Sequence, residues 1–344
     1  MTGNCVQARS TGERWPDFFI AGAAKAGTTS LWRYLLQHPQ IYMPREFRDK
    51  EPSFFCNTYG IDDPQKYLEL FAAASADARV GEASGPYLTA PESADQIRRV
   101  VPHARFIIML RNPADRAYSL YNWMIKEGYE SIDTFEKALE AETDRVRDAN
   151  FPSACGQYHW NFLYFRSGLY SAQIRRYLEV FPRENIHFVQ FETFRRNPLP
   201  ELKKIFQFLE VADSFQPAVD VHNAGAVPRS VARQYFLRNR ADLFFRRLLV
   251  PKRKELIRYL MKRNVRENPA RPMNSKTRAT LIEQYDTDIR HTAQLTGMNL
   301  QEWLSTRPAN ALPRQTRSNR KVLIDGVSIG IYFWAREFIS AAMV

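Results

Sequence analysis

The chain has 344 residues, 44% of them hydrophobic, and a formal net charge of +12. That length suits one large α/β domain or two small ones, and the charge points to polyanionic partners: a nucleotide cofactor, an acidic glycan, nucleic acid or an anionic membrane surface. The three widely separated cysteines, Cys5, Cys56 and Cys155, argue against a disulfide framework and a cysteine-built metal site, and they fit a reducing compartment.

The first seventeen residues hold no apolar stretch, so no signal peptide is expected and a cytoplasmic location is. Phe18, Phe19, Ile20 and Ala21 then form an apolar run ending at Gly22, and helical spacing takes over from Thr28 through Leu31, Leu35 and Leu36. The pattern predicts a strand, a tight loop and a helix. Gly22 and Gly27, with Lys25 between them and Thr28, Thr29 and Ser30 following, put free backbone N–H groups and one cation before a helix N-terminus. Such a place suits phosphate or sulfate. The glycine spacing is that of the nucleotide P-loop, G-x-x-x-x-G-K-[ST], yet Thr28 takes the lysine position and Lys25 lies inside the loop. A glycine-rich turn without a ligand is the alternative.

With its lysine in mid-loop, this stretch resembles the 5′-phosphosulfate loop of sulfotransferases that use 3′-phosphoadenosine 5′-phosphosulfate (PAPS). The resemblance implies that Lys25, Ala26, Gly27, Thr28, Thr29 and Ser30 hold the phosphosulfate, with Lys25 at the bridging oxygen. His38-Pro39 ends the first helix, and Ile41 to Met43, closed by Pro44, predict a short strand. In Lys50-Glu51-Pro52-Ser53-Phe54-Phe55 a charged pair precedes two aromatics that seek burial, which would draw the carboxylate into a cleft; read alone, it is a surface charge followed by core anchors. Beside the lysine loop it resembles the K-E-P-H-F-F segment of heparan-type and related bacterial sulfotransferases. That likeness implies Glu51 as general base on the acceptor hydroxyl, although Ser53 replaces the histidine.

Val80 to Leu88 predicts a strand running into an irregular loop, with Gly85 and Pro86 as turn signals. The resembled family joins serine directly to proline, whereas Gly85 separates Ser84 from Pro86. Glu82 reads as a structural ion-pair partner, with a second catalytic carboxylate as the alternative. Helical spacing over Pro91 to Val101 leads to the nearly continuous apolar strand Arg105 to Leu110, of the kind buried on both faces in parallel sheets. Arg111 follows, and Asn112 as N-cap with Pro113 opens a helix carrying Tyr118, Ser119 and Tyr121. A P-loop NTPase would need an acidic metal ligand here, so an arginine favours a metal-free site for a further phosphate. LRNPADRAYSLY resembles the family's 3′-phosphate motif and implies Arg111 and Ser119 as ligands. Eight helical steps, ~12 Å, separate them, so the arginine would have to reach forward and the serine face back.

Thr134 to Arg147 reads as a charged helix, and the aromatics of Phe151 to Tyr164 suit sugar stacking or a core equally. His159 has no partner at metal-binding spacing and reads as a packing or acceptor-cleft residue. Gly168-Leu169-Tyr170 opens a helix through Phe181, Ile186 to Phe191 is a strand, and Asn197-Pro198 starts another helix. This alternation predicts a single α/β domain: a P-loop-like parallel β-sheet flanked by helices on both faces. A turn-rich loop follows, His222-Asn223-Ala224-Gly225 and Pro228-Arg229-Ser230. In the resembled family a loop here folds over the nucleotide, implying Arg229 as a phosphate contact, with a solvated arginine as the alternative.

Residues 229–266 carry thirteen Lys or Arg against Asp242 and Glu255, a local net of +11, interleaved with apolar residues. This predicts an amphipathic helical insertion, either a solvated hairpin or a dock for an anionic glycan or membrane. Thr277 to Tyr285 and Asp288 to Leu295 continue helically to Gly297, and Trp303 closes the domain.

The expected organisation is a tail over 1–16, a sulfotransferase domain over 17–304, a basic linker over 305–321 and an apolar segment over 322–344 whose uncharged centre is too short to span a bilayer. For that segment, packing on the domain ranks ahead of peripheral membrane contact. The resemblance implies PAPS as donor and a hydroxyl acceptor, on a glycan first and a lipid or small molecule otherwise, with no metal and no nucleic acid. The rivals are a P-loop nucleotide kinase and a noncatalytic polyanion-binding protein.

Overall fold

The computed structural model describes residues 13–219, 226–266 and 272–306. Five parallel strands, β1 (Phe18–Gly22), β2 (Ile41–Tyr42), β3 (Arg79–Ala83), β4 (Arg105–Leu110) and β5 (Ile186–Gln190), form one sheet in the order β2-β3-β1-β4-β5. β1 is buried along its whole length and β4 at all but its first residue, as their uninterrupted apolar runs require of strands covered on both faces.

One face carries α1 (Thr28–Leu35), and the other carries α2 (Ser93–Val100) before β4. After β4 come α3 (Pro113–Glu127) and α4 (Tyr170–Val180). Beyond β5, α5 (Phe191–Arg196) and α6 (Pro198–Phe208) return to the α1 side, where Tyr34 meets Phe194 with ring centroids 6.0 Å apart. On the opposite side Phe106 of β4 packs on Tyr177 at 5.0 Å. The chain leaves β1 toward β2 and β3 on one side and later fills β4 and β5 on the other. The order therefore reverses between β1 and β4, and ligands of open α/β sheets bind at the carboxyl ends of strands at such a switch point.

The local signals account for the element ends. Asn112 caps α3 by accepting the N–H groups of Ala114 and Asp115 at 3.1 and 3.2 Å, with Pro113 in the first turn. The long C-terminal helix α10 (Ser275–Thr296) stops at Gly297 in the left-handed conformation, φ 72°. Between α6 and α10 lie α7 (Val231–Asn239), α8 (Ala241–Arg247) and α9 (Arg253–Asn264), with the short antiparallel pair β6 (Val227–Pro228) and β7 (Val265–Arg266) at their base.

Two expected elements differ. The single helix over Thr134 to Arg147 is two, Phe135–Glu140 and Glu142–Arg147. Its break turns Glu142 inward, where the carboxylate accepts the N–H groups of Phe165 and Arg166, each at 2.8 Å. The basic insertion is three helices rather than a hairpin. Asn239, at the end of α7, donates to the Gly128 carbonyl at 2.9 Å and pins the chain to the end of α3, so α8 starts in a new direction. His222 to Gly225, the linker beyond Arg307 and the apolar segment 322–344 lie outside the described residues.

Candidate active site

The loop after β1 is shaped by backbone contacts. Ala23 N–H donates to the Met109 carbonyl of β4 at 2.7 Å, and Ala26 N–H donates to Ala23 O at 3.1 Å. Gly27 caps α1 at φ 93°, where a side chain is strained, and an added Cβ would come within 2.8 Å of the Phe191 ring. Gly22, at φ 139°, is held by space as well: a Cβ there would sit 2.9 Å from Leu88 Cβ and 3.0 Å from Gly85 O. The N–H groups of Gly27, Thr28 and Thr29 make no hydrogen bond with another described residue, which leaves an anion site at the start of α1.

Because β1 and β4 are neighbours, the residue after β4 arrives beside this loop. Arg111 donates to the Lys25 carbonyl at 3.1 Å, and its guanidinium lies 4.8 Å from the centroid of Phe191. Phe191 is thus the floor shared by Gly27 and Arg111. A set of bonds fixes this corner: Tyr170 OH donates to Arg111 O at 2.9 Å, Asn112 N–H to Glu192 at 2.9 Å, and Trp303 Nε1 to the same carboxylate at 3.2 Å. Burial lowers the Arg111 pKa, partly offset by the charges of Asp115 and Glu192.

Lys25 is half-buried, with Nζ 5.5 Å from the centroid of Trp123 on α3. Its pKa is lowered to about 8, first by burial and then by the positive charges of Arg111 and Lys126. Glu51 and Glu127 act in the opposite sense, which puts the Glu51 carboxylate within electrostatic reach of Lys25. Ser119 lies one helical turn before Trp123 and two before Lys126, so this stripe of α3 faces the Lys25 loop. Lys126 and Trp123 escaped the reading of the sequence. The signal was their spacing from Ser119.

Glu51 is not drawn into a cleft as the aromatics suggested. Phe54 and Phe55 are buried, but the residue pulled in with them is Lys50, whose side chain is 3% exposed against 46% for Glu51. Lys50 Nζ donates to Glu51 Oε1 at 2.8 Å. The long lysine stem is the apolar part of the pair, so it follows the aromatics while its ammonium holds the carboxylate at the protein surface.

Glu82 is a support, though not through an ion pair. It is fully buried and accepts from Tyr67 OH and Ser84 Oγ, both at 2.5 Å, while Ser84 Oγ accepts the N–H of Ser53 at 3.0 Å. Where the resembled segment has a histidine, the contact here is thus a backbone one. Burial raises the Glu82 pKa to about 7 from 4.5, against the lowering effect of the hydroxyls. Between those values the folded state holds more protons than the unfolded one, so stability falls as pH rises from about 4.5 through about 7, by ~3 kcal/mol. Urea unfolding at pH 5 and pH 8 should show this fall in the wild type and a flatter profile in Glu82→Gln. Equal slopes would mean that Glu82 is ionised throughout.

Tyr59, Tyr158 and His159 line up beyond Glu51, with Tyr59 and Tyr158 centroids 5.6 Å apart and those of Tyr158 and His159 5.2 Å apart. Tyr158 is core, while Tyr59, His159 and Trp160 are half-buried. Burial, then the Glu51 charge, raises the Tyr59 pKa, and Arg238 of α7 lowers it. The insertion therefore lies within electrostatic reach of Tyr59. Arg229 is exposed, and its N–H donates to Asn264 O at 2.5 Å, closing the β6–β7 pair.

An anion cradle at a switch point, ringed by lysine and arginine and faced by a carboxylate, defines an α/β group-transfer site. The sequence profile of the family described as "Sulfotransferase domain" matches residues 15–224, and the chain belongs to that family of PAPS-dependent sulfotransferases. It is a sulfotransferase, which sets aside the noncatalytic and kinase readings.

A crystal structure of a sulfotransferase from Alicyclobacillus acidocaldarius shares 30% identity and a TM-score of 0.63, over 84% of this chain and 99% of that one. The chain is also 26% identical over 200 residues to the bifunctional heparan sulfate N-deacetylase/N-sulfotransferase 1 of Caenorhabditis briggsae, covering 58% of this chain and 23% of that protein. The membrane-associated sulfotransferase kil1 of Dictyostelium discoideum is 29% identical over 139 residues, covering 38% of this chain and 29% of that protein. The chain thus spans less than a third of the length of these curated relatives.

Proposed function

We propose that residues 17–304 transfer the sulfuryl group of PAPS to an acceptor hydroxyl, on a glycan, by in-line displacement. PAPS supplies an activated sulfuryl group on a 5′-phosphate. The loop from Lys25 to Ser30 holds that phosphosulfate through backbone N–H groups and hydroxyls, and Lys25 neutralises the bridging oxygen as it becomes anionic. Arg111 and Ser119 hold the 3′-phosphate, and Glu51, steadied by Lys50, takes the acceptor proton. On this reading the protein's own cations balance the leaving phosphate in place of a metal. Arg229 is assigned a secondary contact with the nucleotide.

The observation that carries the proposal is the crowding of three cations, Lys25, Arg111 and Lys126, around an open helix N-terminus. The two that repel Lys25 push its pKa down, a cost that a bound polyanion reverses. The deciding experiment offers sulfate-labelled PAPS and a cell extract to the purified chain and identifies the labelled product by mass spectrometry. Absence of label transfer would reject PAPS as donor. The relatives named N-sulfotransferases favour a second reading, an amine acceptor, which sulfate found on nitrogen would establish.

Arg111→Ala should weaken binding of PAPS and of its desulfated product by the same factor, roughly tenfold to a hundredfold, since both carry the 3′-phosphate. Calorimetry with the two nucleotides measures this directly. An effect on PAPS alone would move Arg111 to the sulfuryl group. A peripheral membrane location belongs to the same proposal, supported by a relative that is named membrane-associated.

A further inference from the structure

We propose that the helical unit α7 to α9 docks the enzyme on an anionic membrane surface, with the turn between α8 and α9 entering the interface. The unit leaves a contiguous apolar surface in water. Leu243 and Leu248 are each 59% exposed, Phe244 is 49% and Leu249 is 87%. Phe244 meets Phe236 of α7 with centroids 6.0 Å apart, and Leu248, the C-cap of α8, stands four residues further on. Around them Arg240, Arg246, Arg247, Lys252 and Lys254 are exposed. Of the two acidic residues in the segment, Asp242 is spent on Arg253 at 2.9 Å. Aromatic and aliphatic side chains framed by cations that make no ion pair among the described residues are the composition of an interfacial membrane surface.

Backbone conformation adds an independent sign. Leu249 has φ 53° and Lys252 has φ 48°, the left-handed region in which glycine is cheapest. At the tip of this turn the sequence instead has a leucine almost wholly in water. Neither the fold nor solvation gains from it there; insertion into a bilayer interface would. A sulfated or carboxylated glycan would pair with the cations but leave three leucines unused. A second copy would bring one +11 segment against another. The membrane satisfies both halves of the surface. Because α7 also carries Arg238, which bears on Tyr59, docking would hold the acceptor side of the site next to the bilayer.

The test is co-sedimentation of the full chain with vesicles of phosphatidylcholine alone or mixed with phosphatidylglycerol, at low salt. The wild type should sediment with the anionic vesicles, and raised salt should release it. Phe244→Ser/Leu248→Ser/Leu249→Ser, which leaves the net charge unchanged, should lower the partition coefficient by about tenfold or more. Leu249→Gly, which relieves the left-handed leucine and carries little folding risk, should lower it several-fold while the melting temperature holds or rises. The proposal fails if both variants bind like the wild type, or if the wild type binds heparin and ignores anionic vesicles. It fails equally if the substitutions change only self-association.

Discussion

Lys25→Ala should lower turnover by about a hundredfold or more, equivalent to ~3 kcal/mol of transition-state stabilisation, while nucleotide affinity falls much less. On the proposed reading the asymmetry arises because the loop N–H groups, Arg111 and Ser119 still hold the ground-state nucleotide. The ammonium is most needed as the bridging oxygen gains charge. Lys25→Met, which keeps an unbranched stem of similar length and removes the ammonium that faces Trp123, should be as slow, separating charge from side-chain volume. Since the free-state pKa is about 8, kcat/KM should fall as pH rises above about 8, where Lys25 loses its proton. Bound polyanion favours the protonated form, so the fall in kcat should come at higher pH. Single-turnover rates across pH 6 to 10, as roughly spaced points on either side of that pKa, measure both. A mutant with wild-type turnover would remove Lys25 from the mechanism.

Glu51→Gln should reduce transfer by ~10²- to 10⁴-fold and leave the affinities for PAPS and its desulfated product nearly unchanged. The glutamine carbonyl can still accept from Lys50 Nζ, as Glu51 Oε1 does at 2.8 Å, so the loop keeps its anchor and the loss falls on proton transfer. Loss of nucleotide binding in this variant would instead place Glu51 among the groups that organise the donor loop. Calorimetry beside single-turnover kinetics distinguishes the outcomes.

Much of the architecture was legible residue by residue. The apolar runs of β1 and β4, the caps at Asn112 and Gly297 and the glycines of the lysine loop give their instructions over a few neighbouring positions. The roles within the Lys50–Glu51 pair were not legible. Which of two adjacent charged residues goes inward depends on Tyr67, Glu82, Ser84 and Tyr87 beneath the loop, contributed by segments up to 37 residues away along the chain. Glu82 likewise looked like an ion-pair partner, because hydroxyl donors brought by folding leave no local trace. The apolar residues of the insertion fitted a packed hairpin as well as an exposed patch until the turn at Leu249 was seen to hold them out.

By itself, the sequence determined a parallel α/β sheet, a glycine-rich loop with Lys25 at its centre, an arginine after the next long strand and the family to which these belong. Those features are local: strand and helix periodicity, caps and loop chemistry depend on hydrogen bonds and packing within a few residues. Only the tertiary structure decided that Arg111 meets the Lys25 loop, that Trp123 and Lys126 join them, that Lys50 rather than Glu51 is buried, and that Arg238 of α7 comes within electrostatic reach of Tyr59. These follow from strand order and helix placement, with β4 lying beside β1 across 82 intervening residues. Such placement is fixed by the global burial of apolar faces, to which no short stretch of sequence holds the key.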